Sequence, residues 1–276
     1  MHLIRQFTLL NRRPKLERPD RSLQWIGCLV DVEKGLGAMA TQTVLVTGAS
    51  RGIGKAIAER CVDDGLEVIG LSTSAKDDLP WRHYGVDLAG EDAKAQLAEI
   101  IDKHRPCRFV GNAGVLINGR LEDVDAADFD RLMRVNLLSL METANLMLPV
   151  WKDERFGRVV LIGSRAALGK ENRVLYGASK AAVTGLGRTL ALELAAHQVS
   201  VNVIAPGPIA TDLFEHGQPI GSPARIKIEA SIPLGRVGKP EDIAQATSFL
   251  LGDKSGFITG QCLNVCGGLS TGFSAQ

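Results

Sequence analysis

The chain has 276 residues, 45% of them hydrophobic, and a formal charge of +1 from 32 basic and 31 acidic side chains. That length supports one large α/β domain or two small ones, and balanced charge with no sustained basic run beyond the N-terminal region argues against nucleic acid as a partner. The cysteines number five, none with Cys-x-x-Cys spacing, and Cys262 and Cys266, about 13 Å apart along a strand, are too distant to bond. No metal and a reducing, cytoplasmic setting are therefore expected.

Residues 1–38 stand outside the pattern that follows. Seven basic residues, Arg12, Arg13 and Lys15 among them, stand against Glu17, Asp20, Asp31 and Glu33. The apolar runs are too short for a signal peptide or a membrane-spanning helix, and no membrane partner is expected. Met39 lies just ahead of the first strand, so 1–38 read as an extension, a flexible arm or an upstream start, and 39–276 as the folded domain.

Thr43-Val44-Leu45-Val46-Thr47 is a buried-strand pattern; a glycine turn through Gly54 and a helix over 55–61 follow. Gly48, Gly52 and Gly54, with Ser50, Arg51 and Ile53 between them, let the backbone turn tightly and approach a pyrophosphate, whose charge meets the N–H groups of a helix N-terminus. A second strand, 67–71, ends at Ser72-Thr73-Ser74, where a dinucleotide would place its adenosine ribose. A carboxylate there would take the ribose hydroxyls of NAD, and none is present. Arg51 offers a cation to a 2′-phosphate instead, so NADP(H) is expected ahead of NAD(H).

The run 107–111 reads as a central strand leading into Asn112-Ala113-Gly114, and the helical pattern 126–148 carries one amide, Asn136, on an apolar face. Arg158-Val159-Val160-Leu161-Ile162-Gly163 is a further strand ending at Ser164. In the helix after it, Tyr176 and Lys180 are one turn apart on one face. A phenol with a pKa of about 10 exchanges protons poorly at neutral pH unless a cation stabilises its phenolate. Lys180 is placed to be that cation, and Ser164 to hold a carbonyl or alcohol oxygen beside the phenol. The other tyrosine, Tyr84, has Leu88 four residues on.

A strand at 200–204 precedes Ala205-Pro206-Gly207-Pro208-Ile209-Ala210-Thr211. Residues 208–237 read as a polar, Gly/Pro-rich mobile substrate lid. Pro240 starts a helix, and 261–265 is the last strand. Alternating strands and helices without a break in composition predict an α/β fold, a single-domain doubly wound parallel sheet of Rossmann type flanked by helices.

In this order, Thr47-Gly48-Ala49-Ser50-Arg51-Gly52-Ile53-Gly54, Asn112-Ala113-Gly114, Asn136, Ser164, Tyr176-Gly177-Ala178-Ser179-Lys180 and Pro206-Gly207 resemble the motifs of a classical short-chain dehydrogenase/reductase, over about residues 43–268. The closest general pattern is that of 3-oxoacyl-acyl-carrier-protein reductases. The resemblance implies hydride transfer between nicotinamide and a ketone or secondary alcohol. Tyr176 would be the general acid, Ser164 would orient the carbonyl, Lys180 would lower the tyrosine pKa and bind the nicotinamide ribose, and Asn136 would hold a relay water. It also implies that Asp87 and Leu88 lie at the adenine, that Asn112, Ala113 and Gly114 bind cofactor, and that Pro206, Gly207, Ile209 and Thr211 lie beside the nicotinamide. Two positions depart from the pattern. Gly111 stands where a second asparagine is usual, and the segment from Ser164 to Tyr176 is one residue shorter than in many relatives.

Family members pair helices equivalent to 126–148 and 177–194 between subunits, so self-association as a tetramer is expected. Neither helix carries a basic residue where an acidic acyl carrier protein would dock, which argues against that partner and leaves small ketones, sugars, polyols or acyl-CoA esters. A sugar, polyol or small-alcohol dehydrogenase using NAD(H) is the alternative enzyme, and a non-catalytic cofactor-binding regulator the alternative class.

Overall fold

Val44 to Val46, Phe109, Val110 and Val159 to Leu161 are almost wholly shielded from water, as the central strands of a parallel sheet covered on both faces must be. The computed structural model describes residues 42–271; the reading of 1–38 as an extension falls outside them. Strands β1 (Thr43–Thr47), β2 (Glu67–Ser72), β3 (Arg82–Gly85), β4 (Arg108–Gly111), β5 (Gly157–Ile162), β6 (Val199–Pro206) and β7 (Cys262–Val265) form one sheet in the order β3-β2-β1-β4-β5-β6-β7. Every pairing is parallel.

Alternate residues serve opposite faces. Leu45, Phe109, Val159 and Leu161 pack with Leu97, Met147, Trp151 and Val183 from helices α2 (Ala93–His104), α4 (Ser139–Glu154) and α5 (Val174–Leu194). Val44, Val46, Val110 and Val160 pack with Ile57, Ile243 and Leu251 from α1 (Gly52–Asp63) and α8 (Pro240–Leu251). Each such buried side chain contributes about 1.5–3 kcal/mol of hydrophobic stabilisation. The strand order reverses between β1 and β4, and in a doubly wound sheet that switch point opens a crevice outside the carboxyl ends of the strands.

Three elements differ from the sequence reading. The stretch before Val86 forms a short edge strand, β3. The helix expected over 126–148 is α3 (Ala126–Met133), a π turn (Arg134–Leu138) and then α4. The segment 208–237, read as a polar, Gly/Pro-rich mobile lid without assigned elements, holds helices α6 (Asp212–Gly217) and α7 (Pro223–Ser231). Their start signals are local. Thr211 Oγ1 accepts from Phe214 N–H at 3.4 Å, Ser222 Oγ from Arg225 N–H at 3.2 Å, and Pro223 occupies the first turn of α7.

Cys61, Cys262 and Cys266 are free thiols. Among the described residues, no helix is long and apolar enough to cross a membrane and no cluster of His, Cys, Asp or Glu side chains could hold a metal ion.

Candidate active site

A cleft of about 860 Å³ lies along the switch point. One wall is the glycine turn, where Gly48 (φ +68°) and Gly52 (φ +55°) adopt conformations that side chains disfavour. A Cβ at Gly54 would lie 2.0 Å from Gly48 O and 2.3 Å from Asn112 Nδ2, so this turn closes only with glycine there. Asn112 Nδ2 donates to Thr47 O and Gly48 O at 3.0 and 3.2 Å, fixing the turn to the end of β4. Thr47 completes the clamp: its Oγ1 accepts from the N–H groups of Asn112 and Ala113, each at 3.0 Å.

The predicted cofactor residues divide into two sets. Gly48, Ser50, Arg51, Gly52, Ile53 and Gly54 line the cleft with Ser72 and Thr73, with Asp87 and Leu88, with Asn112, Ala113 and Gly114, and with Thr211 from the opposite rim. Pro206, Gly207 and Ile209 do not. Pro206 ends β6, Gly207 N–H donates to Val265 O at 3.0 Å, and Ile209 lines a separate cavity of about 190 Å³ beside Leu234 and Cys266. Tyr176 and Lys180 also lie outside the cleft lining, but close behind it. A Cβ on Gly114 would come within 3.2 Å of Asn136 Oδ1 and 3.4 Å of Lys180 Nζ, so Gly114 is the thin partition between the cleft and the polar cluster.

That cluster is built from β5, the π turn and the start of α5. Ser164 follows β5, and its Oγ accepts from Ala166 N–H at 3.0 Å, which leaves its hydroxyl hydrogen to be donated; its side chain bonds to the Tyr176 hydroxyl. Tyr176 lies in the first turn of α5 and Lys180 one turn later, with Nζ 5.8 Å from the phenol ring centroid. Lys180 Nζ donates to Ile162 O at 2.8 Å, and burial pushes its pKa down to about 8. The expected lowering of the tyrosine pKa by Lys180 is not found. Burial holds the Tyr176 phenol above its usual value, opposed by the Ser164 hydrogen bond and the Arg173 charge, because desolvation disfavours a phenolate more than these neighbours favour it.

Asn136 is fully buried, and its amide is committed. Oδ1 accepts from Val115 N–H at 2.8 Å, and Nδ2 donates to Val115 O at 3.0 Å and Ser179 Oγ at 3.1 Å. Ser179 Oγ in turn donates to Tyr176 O at 2.9 Å. The side chain thus ties the strand end beyond β4 to the helix that carries Tyr176, and it sits in a π turn, a distortion common at functional sites.

Thr47 and Ser179 stood in the motifs without an assigned role, and two further residues escaped the sequence reading: Lys76, which lines the cleft beyond Ser74, and Arg134, whose Nε and Nη2 donate to Ala89 O and Gly90 O at 3.1 and 3.2 Å and so fasten the turn after Asp87 and Leu88. No motif spacing marks them, since each acts across strands. Gly111 is explained by packing: a Cβ there would lie 2.5 Å from Leu140 Cδ2 and 3.0 Å from Leu161 Cδ2.

A glycine cradle at the switch point of a doubly wound sheet, with a tyrosine, lysine and serine cluster behind its partition, defines a dinucleotide-dependent oxidoreductase. Comparison with known proteins agrees. A family model described as "Enoyl-(Acyl carrier protein) reductase" matches residues 48–270. The 3-oxoacyl-[acyl-carrier-protein] reductases FabG of Haemophilus influenzae and Aggregatibacter actinomycetemcomitans are 35% and 34% identical, over 84% and 83% of this chain and 99% of each relative. Among solved structures, the ligand-free aldohexose dehydrogenase of Thermoplasma acidophilum is similar at TM-score 0.78 and 33% identity, covering 85% of this chain and 96% of that one. A blue fluorescent protein from a metagenomic library, in complex with NADPH, is similar at TM-score 0.74 and 30% identity, covering 83% and 97%. The chain belongs to the short-chain dehydrogenase/reductase family, and it is an oxidoreductase of the CH–OH/ketone couple that uses a nicotinamide dinucleotide.

Proposed function

We propose that the protein is an NADP(H)-dependent reductase of 3-oxoacyl thioesters. The observation that carries the cofactor choice is the charge of the cleft beside β2, where Arg51 and Lys76 line it with Ser72, Thr73 and Ser74 and without a carboxylate from the 72–78 loop; Asp77 and Asp78 are not in the lining. A phosphate that loses water on binding needs such cations and donors. The cradle fits a dinucleotide, since Gly52 faces Thr211 so closely that a Cβ would lie 3.3 Å from Thr211 Cγ2. The relatives' names favour an acyl thioester as substrate, and Leu168, Leu213, Ile220, Ile226 and Leu234 expose apolar surface around the 208–237 segment, which we read as the lid over an acyl chain. Burial, then the charges of Arg173 and Arg165 on the same segment from Ser164 to Tyr176, lower the Lys170 pKa; their field suits an anionic thioester such as an acyl-CoA.

When bound, the cofactor supplies the hydride to the carbonyl carbon. Tyr176, kept protonated at neutral pH by burial, gives its proton to the carbonyl oxygen, as a general acid must. Ser164 donates its free hydroxyl hydrogen to the same oxygen and fixes its direction. Lys180 holds its ammonium under the phenol through Ile162 O and stabilises the phenolate as the proton leaves. Asn136 keeps Val115 and Ser179, and through Ser179 the first turn of α5, in register. A second reading, an aldohexose dehydrogenase, has the structural likeness to the Thermoplasma enzyme in its favour. The test is loss of NADPH absorbance with acetoacetyl-CoA and with a small ketone, and gain of NADPH absorbance from NADP+ with an aldohexose, each repeated with the NAD(H) couple. Turnover of the thioester with NADPH is expected; turnover confined to the sugar, or a preference for NADH, would overturn the reading.

A further inference from the structure

Two glycines shape the far end of the cleft. Gly70 on β2 pairs with His83 on β3, and Ser72 with Gly85. A Cβ on Gly70 would lie 3.0 Å from His83 Cδ2, and one on Gly85 would lie 2.8 Å from Ala75 N. The first glycine makes room for the Trp81 indole, whose Nε1 would lie 2.6 Å from that Cβ, and next for the edge of the imidazole; the second makes room for the loop that leaves β2 and folds back over β3.

His83 fastens that loop at two points. Its Nδ1 accepts from Lys76 N–H at 3.1 Å, so a neutral ring carries its proton on Nε2, which lies 3.2 Å from Ser72 Oγ. Ser72 then donates to Ser74 O at 2.9 Å. The three bonds run in one direction and need a single tautomer. Burial first, then the Lys76 charge, hold His83 below the ordinary imidazole range against the opposing effect of Asp78, so the ring is neutral at neutral pH. Among the described residues no carboxylate forms an ion pair with Lys76, and Lys76 lines the cleft.

We propose, resting on the NADP(H) reading, that Lys76 is a specificity-determining cation for the 2′-phosphate of the cofactor, facing it from the β2 loop while Arg51 approaches from the glycine turn, and that His83 is its positioning residue. A lysine on an untethered loop would lose backbone and side-chain freedom on binding. His83 removes the backbone part beforehand, because the atom it holds is the amide nitrogen of Lys76 itself.

The test is calorimetric titration of the wild type, Lys76→Ala, His83→Ala and His83→Asn with adenosine 2′,5′-bisphosphate and with adenosine 5′-monophosphate. Lys76→Ala should weaken the bisphosphate about tenfold and leave the monophosphate within about twofold, the scale of one charge-assisted contact at an exposed site. His83→Ala should produce most of that loss, and the double variant little more, since both act through one ammonium. His83→Asn, whose amide oxygen takes the place of Nδ1, should recover the affinity. Equal weakening of both ligands would assign His83 a structural role only and overturn the inference, as would full discrimination retained by Lys76→Ala. A wild type that binds the two ligands alike would overturn the NADP(H) reading itself, and this inference with it. Should His83→Ala fail to fold, Lys76→Ala and His83→Asn decide.

Discussion

Behind the Gly114 partition Tyr176 and Lys180 meet because one turn of one helix separates them, whereas at the β2 end of the cleft Lys76, Ser72 and His83 meet only because β3 pairs with β2. The first arrangement is inherited from local geometry and sits in a dry environment, where burial moves both pKa values. The second is assembled across strands at an exposed edge, where charges are screened and each contact is weaker. On the proposed function, chemistry concentrates its sensitivity at the first, and cofactor discrimination is spread over several modest contacts at the second.

The largest effect is expected from Tyr176→Phe. It removes the proton donor and no packing, so turnover should fall by at least about a hundredfold, the usual scale for a general acid, while cofactor titration and Tm stay near wild type. Turnover within a fewfold of wild type would erase the distinction between the two ends.

Next is pH. Lys180 titrates at about 8, and its ammonium is lost as pH rises through that value, while the raised phenol stays protonated there. Ketone reduction should accordingly be flat near neutrality and decline above about pH 8, with the decline absent from the residual activity of Lys180→Met. A pH–rate profile that stays level through pH 9 to 10 would place the lysine charge outside the rate-determining chemistry.

At the adenosine end, Arg51→Ala should weaken NADPH about ten- to a hundredfold and NADH little, because one charge-assisted contact is worth roughly 1.5–3 kcal/mol. Cofactor fluorescence titration reads this directly. Equal losses for both cofactors would mean that Arg51 acts through the turn and not through the phosphate.

The smallest effect is expected outside the cleft altogether. We propose that a chain beginning at Met39 keeps its activity and its Tm, since the first strand starts only at Thr43. Loss of soluble protein would show that residues 1–38 contribute to the domain.

Much of this molecule was legible because its signals are local. The apolar runs of β1, β4, β5 and β6, the glycines of the first turn and the four-residue step from Tyr176 to Lys180 each depend on neighbours close in sequence. The π turn at Asn136 was not legible: whether an amide on an apolar helix face kinks the helix depends on what stands opposite, here the backbone of Val115 and the hydroxyl of Ser179. The lid helices α6 and α7 were obscured by glycine and proline content, although Thr211 and Ser222-Pro223 carried their caps.

The sequence by itself determined the strands β1, β2, β4, β5, β6 and β7, the cradle and the Ser164, Tyr176 and Lys180 group, because hydrophobic period, glycine conformation and helix pitch act over a few residues. Only the tertiary structure decided that burial raises the Tyr176 phenol and lowers Lys180, that Thr47 and Asn112 lock the turn to β4, and that His83 holds Lys76 at the cleft. These hydrogen bonds join residues 7 to 66 positions apart in the chain, and no local pattern records which of them will arrive.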